Sequence, residues 1–141
     1  RDIEPELSPY QLKIPPEQIH SLIAFSSLFI GDSQTMTQEA AVLGVPALKC
    51  NSFAGKLSVP NELENKFELM FSYLPDDFNK LLGKLNELLA KPNLKEEWEI
   101  RRQKMLNDKI DVTSFWVWFI ENYPTSARVM RENPDYQYNF K

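Results

Sequence analysis

The sequence predicts an α/β domain with a mostly parallel sheet of about four strands and helices on both faces. A short apolar run, Leu28 to Ile30, is closed by Gly31 and reads as a buried parallel strand reaching a turn. A helical stretch follows and leads to a second short strand, Ala47 to Leu48, so strand and helix alternate as a parallel sheet requires. Further on, Phe78, Leu81, Leu82, Leu85, Leu88 and Leu89 recur at three- and four-residue steps, the spacing of a helix that turns one face to a core.

Taken in order, the chain opens on Arg1, and Asp2 to Pro9 is a polar, proline-containing lead without periodicity, as expected at the cut end of a longer protein. Residues 10–123 are expected to form the domain, with residues 124–141 as a C-terminal helix and tail. Tyr10 to Ile14 alternates well enough for a first strand. Pro15 and Pro16 then open a helix whose apolar face is Ile19, Leu22 and Ile23. His20 lies on that helix. With no partner offered by the sequence, it suits the part of a hydrogen-bonded histidine near the sheet edge better than that of a general base.

Between the two short strands, Ser33, Thr35 and Thr37 can each cap a helix, and Thr35 with Gln38 has the spacing of a capping box, so the helix is expected to open near Thr35. Gly44 is free to take the left-handed conformation of a helix end, and Pro46 cannot continue the helix. The stretch Cys50 to Glu64 is polar, with Gly55 and Pro60, and reads as a long loop over a ligand site. Asn51, Ser52 and Lys56 can meet a sugar or phosphate there, and an ordinary solvated loop explains each of them equally well. Phe67 to Tyr73 is rich in aromatic and apolar residues and reads as a further strand, with Phe71 and Tyr73 assigned to core packing ahead of a base pocket.

Asp76 is expected to cap the Phe78 helix and Pro92 to end it. Asn93 to Lys109 is helical and charged, anchored by Trp98, Met105 and Leu106, with Glu97 and Arg101 as a solvated pair. Asp111 caps a last major helix, Val112 to Asn122, in which Phe115, Trp116, Val117, Trp118, Phe119 and Ile120 cover most of the circumference. Such a helix wants partners on nearly all sides. It is too short to span a membrane, and no Lys or Arg between Asp111 and Tyr123 would hold it to anionic lipid. Pro124 breaks it, and Thr125 to Asn133 makes a short helix before the tail Tyr136 to Lys141.

Composition narrows the classes. With 141 residues, 43% of them apolar, the chain supports one core and not two ordinary domains. A net charge of −4 without a basic run argues against a nucleic-acid partner. One cysteine, Cys50, excludes an internal disulfide, and with the lone His20 it leaves no metal cluster to propose. No cofactor is called for, no spanning segment is present, and a reducing cytoplasm is the expected location.

The chemistry gathers in the first strand–helix unit. A helix N-terminus aimed at the carboxyl edge of a sheet suits a phosphate or carboxylate. Glu39, one turn beyond Thr35, can accept two hydrogen bonds from a vicinal diol such as a ribose. Anion site and diol acceptor together describe a nucleotide.

At these residues the sequence Gly-Asp-Ser-Gln-Thr-Met-Thr-Gln-Glu-Ala-Ala-Val-Leu-Gly-Val-Pro-Ala resembles the nucleotide-sugar signature of the second domain of GT-B glycosyltransferases and of UDP-N-acetylglucosamine 2-epimerase. It is most like a group of uncharacterised archaeal and bacterial proteins related to both. The resemblance implies a Rossmann-like domain in which Ser33, Gln34 and Thr35 hold the diphosphate and Glu39 the ribose. Gly31, Asp32, His20, Asn51 and Lys56 are the further candidate pocket residues. It departs from the epimerases in lacking their paired glycines. The expected partner is a UDP-type nucleotide sugar, with a missing N-terminal domain of the same protein completing the cleft and a homodimer as a further possibility. The expected role is the nucleotide-sugar-binding part of a transferase, ahead of an epimerase, with no activity in the isolated chain. A non-enzymatic Rossmann-like interaction or oligomerisation module is the alternative.

Overall fold

The computed structural model describes residues 3–141, so Arg1 and Asp2 of the lead lie outside the described residues. Its centre is an open parallel sheet of three strands in the order β1 (Phe29–Gly31), β2 (Ala47–Cys50), β3 (Met70–Tyr73). The α/β class stands, with three strands in place of about four. The fourth was expected at Tyr10 to Ile14, which forms no strand. A 3-10 turn, Ser8–Tyr10, occupies its start, Tyr10 and Leu12 are exposed, and the segment joins neither edge of the sheet. Alternation without a face to bury carries no strand. β1 and β3 are the two edges of the sheet, so the run Leu28 to Ile30, expected as a buried strand, is a half-covered edge instead: Ile30 is 45% exposed, and no residue of β1 is fully buried.

Helix α1 (Ile19–Phe25), entered through a 3-10 turn at Pro16–Gln18, precedes β1. Helix α2 (Gln34–Val42) joins β1 to β2, and α3 (Ser58–Asn65) joins β2 to β3. Helix α3 falls inside the stretch expected to be a long loop. Its Pro60 sits in the first turn, where a missing N–H costs no intrahelical bond, so proline and helix are compatible there. β3 is shorter than Phe67 to Tyr73, because Glu68 takes a left-handed turn at φ 53° before the strand begins.

Ala47, Leu48 and Lys49 are all wholly buried, so both faces of β2 are covered. Lys49 and Ser72 share a register line and face the layer of α2 and α3. Leu48 and Phe71 face the other way, where α4 (Phe78–Leu89) sets Lys84 Nζ 4.4 Å from the Phe71 ring. Of the α4 leucines, Leu81 and Leu88 are buried, while Leu82 and Leu89 are exposed. The expected Asp76 cap is replaced by a 3-10 turn, Pro75–Asp77, leading into the helix.

Helix α5 (Leu94–Asp108) runs past the amino end of the sheet. Trp98 is wholly buried, donates Nε1–H to Leu69 O at 3.0 Å and lies edge-on to Phe71. The Glu97 and Arg101 pair is more than a solvated one: Glu97 also accepts from Lys91 at 2.7 Å, and the Arg101 guanidinium lies 4.3 Å from the Trp98 ring centre. Arg102 Nε donates to Val42 O, tying α5 to the end of α2 beside Gly44, whose φ of +80° suits glycine.

Helix α6 (Val112–Glu121) is capped by Asp111, which accepts from Ser114 N at 3.0 Å. With α7 (Thr125–Glu132) and a final 3-10 segment, Pro134–Phe140, it forms a small aromatic cluster: Phe115 and Trp118 meet Phe140, and Trp118 stacks on Tyr136 at 4.8 Å. No residue of α6 is fully buried. Among the described residues, no helix is long and apolar enough to cross a membrane.

Candidate functional site

Gly31 ends β1 with the Phe29 ring packed over it; a Cβ there would lie 3.0 Å from the outer edge of that ring, so a side chain would require the ring to shift slightly. Asp32 follows, exposed, and Asn51 Nδ2–H donates to its carbonyl at 2.8 Å. Asn51 Oδ1 accepts from Phe53 N at 3.0 Å, so one side chain ties the β1–α2 loop to the β2–α3 loop. Lys56 lies exposed in the second loop.

Ser33, not Thr35, caps α2. Its Oγ accepts from Met36 N at 3.4 Å, and its carbonyl accepts from Thr37 Oγ1 at 2.6 Å. With the helix beginning at Gln34, the Thr35–Gln38 capping box falls out of register. The N–H groups of Gln34 and Thr35 belong to the first turn, which has no intrahelical acceptors.

The Gln34 side chain turns inward. Its Oε1 accepts from Lys49 Nζ at 2.7 Å, and its Nε2 is buried with no partner. Lys49 is wholly buried in the middle strand; burial holds its pKa below the ordinary lysine value, and the charge of Glu64 pulls it partly back. Glu64 accepts from Ser72 N at 3.2 Å on the outer edge of β3, and the nearby Ser72 Oγ is buried and unpartnered. Burial, with Glu64 and Glu87 nearby, also raises the Tyr73 hydroxyl pKa. A polar cluster of Gln34, Lys49, Glu64 and Ser72 thus lies beneath the first turn of α2. The sequence carried a signal for it: a lysine inside the apolar run Val-Pro-Ala-Leu-Lys-Cys has to be buried with a purpose or a partner.

Glu39 sits one turn along the outer face of α2. His20 Nε2 is 3.2 Å from its Oε2, so the histidine has a partner that the sequence did not reveal. His20, Thr35, Gln38 and Glu39 line one part of a groove of about 580 Å3, and Leu63 and Met105 form its apolar floor. The structure therefore brings Thr35, Glu39 and His20 together, sets Gly31, Asp32, Ser33 and Asn51 at the sheet edge, and shows no contact from the Lys56 side chain to either group. Among the described residues, no group of three or more His, Cys, Asp or Glu side chains is placed to hold a metal ion. Comparison with family models, with curated proteins and with solved structures found no match to this chain.

Proposed function

We propose that the chain is the nucleotide-sugar-binding part of a GT-B-type glycosyltransferase or 2-epimerase-like enzyme. The diphosphate of a UDP-type sugar sits at the N-terminus of α2, and its ribose hydroxyls donate to Glu39. One observation carries the reading: Thr35 and the Glu39 carboxylate lie on one face of α2 and line the same groove, directly after a parallel strand. The first-turn N–H groups and the Ser33 cap supply donors for an anion, and Lys49 adds a positive charge beneath them. Because the Gln34 side chain is engaged with Lys49, its contribution to phosphate comes from the backbone N–H. His20 orients Glu39 and gives way, or shares it, when a diol binds.

Titration by NMR with UDP tests the reading. Binding is expected to be weak, with a Kd near millimolar or about 4 kcal/mol. Shifts are expected at Ser33 to Thr35 and Glu39, and Glu39→Ala should abolish the ribose-dependent part, the difference between UDP and inorganic diphosphate. Shifts confined to remote surfaces, or unchanged by Glu39→Ala, would overturn it. A rival reading, a non-enzymatic interaction module, is favoured by the exposed apolar side of α6.

A further inference from the structure

Two exposed apolar features stand near each other without a partner. On α6, the inward side (Phe115, Trp118 and Phe119) is used by the aromatic cluster, while Val112, Trp116, Val117 and Ile120 are 51–68% exposed, with Tyr123 just beyond at 69%. At 100° per residue the four helical ones fall on one contiguous arc, a stripe with no charged side chain, and Tyr123 follows the end of the helix. The second feature is the groove between α2, α3 and α5, where exposed Val42, Val59 and Leu106 rim the floor of Leu63 and Met105. Its charged residues are already engaged: Glu39 faces His20, and Glu62 pairs with Lys109 at 2.6 Å.

We propose that the α6 stripe of one copy seats in the α2–α3–α5 groove of a second copy, reciprocally, about a two-fold axis near Lys109–Asp111. Connectivity supports the exchange. Leu106 and Lys109 line the groove and α6 begins at Val112, so the root of the helix stands at the rim of the groove it would trade. Two such roots meeting at an axis put each stripe beside the other copy's groove, and a closed pair leaves neither feature over. Area separates this from a simple contact of α6 with α6. Five half-exposed side chains of this size offer about 400 to 500 Å2. One helix-on-helix contact would then bury about 1,000 Å2 in total and two reciprocal contacts about 2,000 Å2, and only the second falls within the range of stable interfaces. An uncharged stripe also meets an apolar floor without burying an unpaired charge.

Sedimentation of the whole chain, without nucleotide, tests this directly. The wild type is expected to be a dimer. Trp116→Glu on the stripe and Leu106→Glu on the groove rim, both at exposed positions, should each weaken dimerisation at least about tenfold while leaving the helical circular dichroism intact. A wild type that stays monomeric at millimolar concentration overturns the proposal. So does a dimer that Leu106→Glu leaves untouched, which would point to α6 against α6. Should Leu106→Glu prove unfolded, Val59→Glu at the opposite rim takes its place. The groove is the one that carries Thr35 and Glu39, so a seated stripe covers the nucleotide site, and dimer and nucleotide exclude one another. UDP titration of monomeric Trp116→Glu reads the nucleotide site with the groove open, so failure of one proposal is distinguishable from failure of the other.

Discussion

Replacing Lys49 with Met asks whether the buried ammonium is kept at a cost in stability. Met retains the unbranched stem and removes the charge. The ammonium lies in a wholly buried side chain, donates to Gln34 Oε1 at 2.7 Å, and has its pKa lowered by burial. Taking such a group out of water costs several kcal/mol even after relaxation, and one charge-assisted hydrogen bond returns about 1.5 to 3 kcal/mol. Gln34 is only half-buried, so its freed Oε1 can turn toward water. Lys49→Met is therefore expected to gain about 1 to 2 kcal/mol at neutral pH. In urea this is a midpoint shift of roughly 0.5 to 1 M with an unchanged slope. Lys49 binds its proton less tightly folded than unfolded, so wild-type stability rises with pH from the lowered folded pKa toward the ordinary lysine value. The variant lacks that rise, so its advantage narrows as pH climbs from neutral toward about 10. If the charge serves an anion site, UDP binding weakens as stability improves. A variant destabilised by more than about 2 kcal/mol, or an advantage that widens with pH, refutes the reasoning.

Trp98→Phe keeps a ring but removes the N–H that reaches Leu69 O and leaves a buried carbonyl unpaired. The expected loss is about 2 to 4 kcal/mol by urea denaturation, and a loss under about 1 kcal/mol would show that α5 is held by packing alone. At acid pH the cluster of Glu62, Lys66, Asp108 and Lys109 should matter: the hydrogen bond from Lys109 lowers the Glu62 pKa, and that from Lys66 lowers the Asp108 pKa. Their stabilisation is present above about pH 4 and is lost as pH falls through the lower folded values. A Lys66→Met, Lys109→Met double variant should lose stability less steeply below pH 4 than the wild type, and equal slopes would refute it.

Much of the strand–helix frame was legible because its signals are local. The strand ending at Gly31, the left-handed Gly44 and the Asp111 cap each act through neighbouring residues, and each is where the pattern placed it, although the strand is an exposed edge and not the buried one expected. The stripe of α4 was legible as a helix, although packing buried only part of it. Proximity of Thr35 to Glu39 followed from helical spacing alone, but the His20 and Glu39 contact joins two helices and had no sequence signature.

What the sequence determined by itself was the helix periods and the signals that act through neighbouring residues, such as the Asp111 cap; the caps expected at Thr35 and Asp76, the strand at Tyr10 to Ile14 and the loop at Cys50 to Glu64 were not among them. What only the tertiary structure decided was which patterns found a partner. Tyr10 to Ile14 has the alternation of a strand but joins no ladder, and Pro60 proved harmless in the first turn of α3. Lys49 and Gln34 meet across 15 positions of sequence, and Trp116 faces outward while Trp118, two residues on, stacks on Tyr136. Periodicity tells which residues share a face; burial and hydrogen-bond partners are set by chain segments far away in sequence, and only folding brings those together.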